Sequence, residues 1–140
     1  MLSILIPIKT ESDVVTIRSK VREITGGLGF DELDQSRIVQ SVSELALNVV
    51  HHAEEGTVLI EPLDREGRRG IRMVVQDFGP GMAETEPILR MSETPSVVEG
   101  HGLRQVRELM DEFVIRAVNG KGTCVQVSKW LTVAAMEVEE

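Results

Sequence analysis

The chain has 140 residues and a formal net charge of −8, with 41% hydrophobic and 27% charged side chains, the composition of one globular domain. The acidic balance argues against a nucleic-acid surface, because phosphate contacts need a basic patch. No stretch approaches the ~20 apolar residues of a membrane span. "MLSILIPIKTE" lacks the basic start of a signal peptide, and the single cysteine, Cys124, allows no intrachain disulfide, so a cytoplasmic setting is expected.

"LSILIPI" (2–8) is β-branched and short, and predicts a first strand. Val14, Ile17, Val21 and Ile24 then recur at helical spacing over residues 11–25, and Gly26-Gly27 is expected to end that helix. Asp31 or Asp34 caps a second helix. Its apolar stripe, Ile38, Val42, Leu45 and Val49, runs to about Ala53. Segments 57–63 and 70–77 predict two strands joined through "DREGRRG" as a hairpin turn. "DFGPGM" (77–82) cannot continue a strand. Residues 83–99 carry Pro87 and Pro95 and a weak apolar pattern. "GHGL" (100–103) opens a helix to about Glu112, and strands 113–119 and 122–131 flank "NGKG". The tail is polar.

The order β-α-α-β-β-loop-α-β-β predicts an α+β fold, a two-layer α/β sandwich with a mixed sheet and helices on one face. Residues 1–131 form one domain in this reading, and 132–140 a polar tail.

Glu44 and Asn48 lie one turn apart on the second helix, at the margin of its apolar stripe. A carboxylate there can take a proton from a hydroxyl, and an amide oxygen can ligate Mg²⁺. The plain alternative is an exposed acid and a locally bonded amide. Asp77 ends a strand before Gly79 and Gly81, so a carboxylate can face the amine edge of a flat base that the glycines let approach. An ordinary turn would have the same composition. "GHGL" places glycines at a helix N-terminus, where free N–H groups favour phosphate. It is neither a Walker A loop nor a dinucleotide-binding fingerprint.

In this order ELALN, DFGPG, GHGL and GKGT resemble the N, G1, G2 and G3 boxes of the GHKL (Bergerat-fold) ATPase and kinase superfamily. "ELALNVVHHAEEGTV", "DFGPGM", "LMDEF" and "GKGTCVQVSKW" look most like the switch serine/threonine-protein kinases of bacterial partner-switching (stressosome) pathways, the RsbT type. The anti-sigma-factor kinases are next. The resemblance covers roughly residues 3–131 and implies ATP and Mg²⁺ as cofactors. It implies Glu44 as the general base and Asn48 as the Mg²⁺ ligand. Asp77 would bind the adenine amine, with Gly79 and Gly81 shaping the pocket and Thr123 joining through water. Gly100, His101, Gly102, Leu103 and Arg104 would line the phosphate side. The implied substrate is a STAS-domain partner, and the implied later target a PP2C-type phosphatase or a sigma factor. No nucleic acid or membrane partner is expected.

Val97, Val98 and Glu99 depart from the family's glycine-rich lid. Arg104 either reaches the γ-phosphate or is an ordinary exposed helix residue. His52, one turn past Asn48, is expected to pack under the site; His51 and His52 diverge too far on a helix to suggest zinc. Two other functions stand beside the kinase. One is a nucleotide-responsive anti-sigma-factor or scaffold module. The other, a detached histidine-kinase catalytic domain, lacks a phosphoacceptor hairpin here.

Overall fold

The first strand, β1 (Ile4–Ile8), is followed by α1 (Glu11–Leu28), whose N-cap is Thr10. The Asp13 carboxylate accepts hydrogen bonds from the Lys9 and Thr10 N–H groups at 2.8 and 3.1 Å. A computed structural model describes the fold for residues 3–78, 101–117 and 122–132. The two backbone hydrogen bonds are the main reason the Asp13 carboxyl titrates below its ordinary value. The depressed value stabilises the fold above the unfolded pKa and is lost as pH falls through the folded one. Thermal midpoints taken from about pH 5 down to about pH 3 should therefore fall more steeply in wild type than in Asp13→Asn.

α1 continues through Gly26 and Gly27, where the sequence predicts its end. Thr25 and Leu28 are buried, which keeps the last turn docked. The stop falls at Gly29, whose left-handed φ of 103° lets its N–H reach Gly26 O and lets Phe30 N–H reach Thr25 O. Those paired bonds close a helix end only where φ is positive.

α2 (Glu32–His52) starts on Asp31, whose carboxylate accepts the Asp34 N–H at 2.8 Å. Of the two possible caps Asp31 serves, while Asp34 pairs with Arg37 at 2.9 Å. The stripe of Ile38, Val42, Leu45 and Val49 is buried as expected, together with Ala46.

β2 (Gly56–Arg65) and β3 (Arg68–Asp77) are longer than the sequence predicts. Their turn is only Glu66 and Gly67, with φ of 58° and 87°, the two-residue geometry that matches strand twist. α3 (His101–Leu109), β4 (Glu112–Ala117) and β5 (Thr123–Trp130) complete the fold. α3 ends short of Glu112, because the Asp111 N–H already bonds to Ser128 O and sets the start of β4.

The fold class is the expected α+β sandwich, with one correction to the sheet. Its order is β1-β2-β3-β5-β4, and every neighbouring pair is antiparallel rather than mixed. β4 runs parallel to β3, but β5 returns between them, so among the described residues no two parallel strands touch. Alternation then divides the sheet. Ile8, Val58, Ile60, Met73, Val75, Val125 and Val127 line one face and are buried in the core that the helices share. The same period carries Asp77 and Thr123 onto that face at one end of the sheet.

Candidate active site

Period and register decide which polar groups meet. Asp77 follows Met73 and Val75 on the helix-covered face, and sits opposite Gly56 on β2. Thr123 opens β5, and its N–H donates to Asp77 Oδ1 at 3.0 Å. Above them α2 presents Glu44 and Asn48, both half-buried beside the buried Leu45 and Val49. α3 closes the end with Leu103.

Asn48, Asp77 and Thr123 supply the polar lining of a cavity of about 40 Å³, with Leu45, Val75, Leu103 and Val125 among its apolar walls. That volume suits one water, whose share of liquid is about 30 Å³. Glu44 lies one turn before Asn48 on α2. Gly102 lies so close that a β-carbon there would run into the Glu44 carboxylate. The acid thus rests on the first turn of α3, where the helix dipole favours negative charge.

Two glycines that sequence reasoning did not single out for the site build it. At Gly56 a side chain would strike Gln76 O and the Val49 side chain, so its absence lets α2 settle onto the β2-β3 pair. Gly122, with φ of 119°, packs against the backbone and carboxylate of Asp77. A side chain at Gly122 would be excluded by both space and conformation. Each glycine stands at the start of a strand: Gly56 opens β2 opposite Asp77, and Gly122 directly precedes Thr123 of β5.

The structure gathers Glu44, Asn48, Asp77, Gly102, Leu103 and Thr123 at one end of the sheet. Arg104 instead lies 3.8 Å from Glu108 along the outer side of α3. His52 is exposed rather than packed beneath the site, and the half-exposed His51 lies 3.7 Å from Glu11. The reason is position: both histidines fall in the last turn of α2, beyond the covering core. Gly79, Gly81 and Gly100, with Val97, Val98 and Glu99, lie outside the described residues, as does the His101 side chain. Among the described residues no three His, Cys, Asp or Glu side chains cluster as a metal site.

Cys124 follows Thr123 on the opposite face of the sheet. Burial pushes its thiol pKa up, Arg116 pulls it down and Asp77 raises it further. Because the thiolate is the nucleophile, alkylation by iodoacetamide near pH 8 should run more slowly than for free cysteine; mass spectrometry of the time course measures this.

Residues 6–129 match the family described as histidine kinase-like ATPase domain. The serine/threonine-protein kinase RsbT of Bacillus subtilis (strain 168) is 38% identical over 124 residues, which cover 89% of this chain and 93% of RsbT. Among solved structures, the RsbU and RsbW domains of Rv1364c from Mycobacterium tuberculosis align with a TM-score of 0.65 at 21% identity. That alignment covers 92% of this chain and 32% of the mycobacterial one. The SiaB–SiaC complex from Pseudomonas aeruginosa gives a TM-score of 0.62 at 12% identity, covering 94% of this chain and 90% of the matched one. At such identities these two structures speak for the fold. The family match runs from within β1 to the penultimate residue of β5, so the whole sandwich and the acid-and-amide end of its sheet are accounted for together: the chain belongs to the histidine kinase-like ATPase family.

Proposed function

We propose that the protein is an ATP- and Mg²⁺-dependent serine/threonine protein kinase that phosphorylates a STAS-domain partner and, once released, engages a PP2C-type phosphatase. The observation that carries this reading is the meeting of Glu44, Asn48, Asp77 and Thr123 at one end of the sheet beneath the first turn of α3. The likeness to RsbT supports the kinase assignment. In this reading residues 1–131 form the kinase domain and 132–140 a tail. No helix among the described residues is long and apolar enough to cross a membrane, and the proposed setting is the cytoplasm.

The oxygen-rich donor set suits magnesium. Asn48 would hold it through its amide oxygen, and the ion would supply charge neutralisation between the phosphates. Asp77 recognises the amine edge of adenine through its carboxylate, which the Thr123 N–H orients. Glu44 takes the proton from the incoming hydroxyl of the partner. Gly79, Gly81, Gly100, Gly102, His101, Leu103 and Arg104 complete the nucleotide-binding set in this proposal. A base needs far more room than the existing cavity provides, so Leu103 and the first turn of α3 move outward when ATP enters. That movement would also release Glu44 from Gly102.

Incubation with γ-labelled ATP, Mg²⁺ and a cognate STAS-domain protein should label the partner on Ser or Thr. Label confined to the kinase itself, or none despite measurable ATP binding, would overturn the assignment.

A second reading, a nucleotide-responsive anti-sigma-factor or scaffold module, draws on the contact of Glu44 with Gly102, which holds the acid away from an incoming hydroxyl. ATP binding without transfer to any partner would favour it.

A further inference from the structure

The opposite end of the sheet carries a different chemistry. Arg65 and Arg68 face one another directly across the β2-β3 hairpin, although like charges in opposed strand positions repel. Both guanidiniums lie over the Trp130 ring, at 4.6 and 5.4 Å from its centroid. The ring reaches them because Gly70, paired with Trp130 across β3 and β5, has no side chain; a β-carbon there would strike the indole. Among the described residues neither guanidinium has a carboxylate within 4.0 Å.

These groups border a concavity of about 500 Å³, which Glu66, Asp111 and Glu112 also line. Asp111 is already engaged, accepting the Trp130 N–H at 2.8 Å and lying 3.6 Å from Lys129. Glu66 occupies the turn between the two arginines, and Glu112 begins β4. β3 spans ten residues, which puts this concavity about 30 Å along the strand from Asp77. It is therefore separate from the nucleotide end.

We propose that Arg65, Arg68 and Trp130 form a docking site for an acidic segment of a partner protein, with its carboxylates received by the two guanidiniums. The pairing follows from charge complementarity. In a chain of net charge −8, two converging cations with no carboxylate within 4.0 Å among the described residues offer an anionic surface a local attraction. Planar guanidiniums bind carboxylates in a bidentate fork, and the indole beneath them holds that fork in place. Beyond the Glu61–Arg72 ion pair the same open face carries Leu59 and Val74 and reaches the exposed Leu5. That apolar row gives a protein segment further contact that a free anion could not use. The site does not depend on the kinase assignment.

Trp130 is the sole tryptophan, so its emission reports occupancy directly. Full-length protein titrated with hexaglutamate should show a saturable emission change that weakens as salt rises from about 50 to 200 mM. Hexalysine should give none. Double substitution Arg65→Gln and Arg68→Gln should weaken the affinity about tenfold or more, with the thermal midpoint checking that the fold persists; each single substitution should give an intermediate loss. No response to hexaglutamate, an equal response to hexalysine, or undiminished affinity in the folded double variant would overturn the proposal. Inorganic phosphate binding as tightly as the peptide would also overturn it, by assigning the site to a free anion.

Discussion

Glu44→Gln is expected to lower the rate of phosphoryl transfer to the partner by roughly 10²- to 10⁴-fold, the range a positioned general base supplies. Gln has nearly the same shape, so it keeps the fit against Gly102 and the first turn of α3. What it loses is the ability to accept the hydroxyl proton. It also removes a negative charge beside a helix N-terminus, a change of about 0.3–1 kcal/mol, far too small to account for the loss of rate. Removing that charge from the place where phosphates arrive should leave nucleotide affinity unchanged or slightly improved. Single-turnover transfer measured beside a nucleotide titration separates the two effects. Equal transfer rates in the two proteins would remove Glu44 from the chemistry.

The second large effect is expected at Asp77. Asp77→Asn keeps an oxygen for the Thr123 N–H, which now donates to Oδ1 at 3.0 Å, so the junction of β3 and β5 survives. The other oxygen becomes an NH₂ group. In the proposed binding mode a donor then faces the donor amine of adenine. Such a mismatch leaves buried polar groups unpaired, and the cost should reach about 10²-fold or more in ATP affinity. Fluorescent-ATP titration checks it. Undiminished affinity would show that the base is recognised elsewhere.

The elements that sequence located best were those whose periodicity and burial coincide. The α2 stripe and the strand ending at Asp77 belong to this class, because alternation or helical spacing states which side is inside. The errors arose where one conformational detail outweighed composition. Gly26-Gly27 looked like a stop, yet burial of Thr25 and Leu28 carried α1 on to Gly29. The hairpin looked seven residues long because its charges resembled a loop, yet a two-residue turn sufficed and the arginines became paired strand residues. The sheet's directions were not legible locally, since they depend on β5 taking the place between β3 and β4. Glu44, Asn48, Asp77 and Thr123, picked out through helix spacing and motif order, lie together at one end of the sheet. Gly56 and Gly122 were not picked out, because what they do appears only when a backbone or a helix comes close enough to need their bareness.

The position of β5 also governs when this protein can be completed. Its central ladder joins residues 70–76 to residues 124–130, and among the described residues β4 has no other strand to lie against. A nascent chain halted before Thr123 would leave β3 as an unsatisfied border and Asp77 without its amide donor. Nucleotide binding should thus arise abruptly once β5 slides into the middle, and chains terminated before it should be prone to self-association through that exposed border.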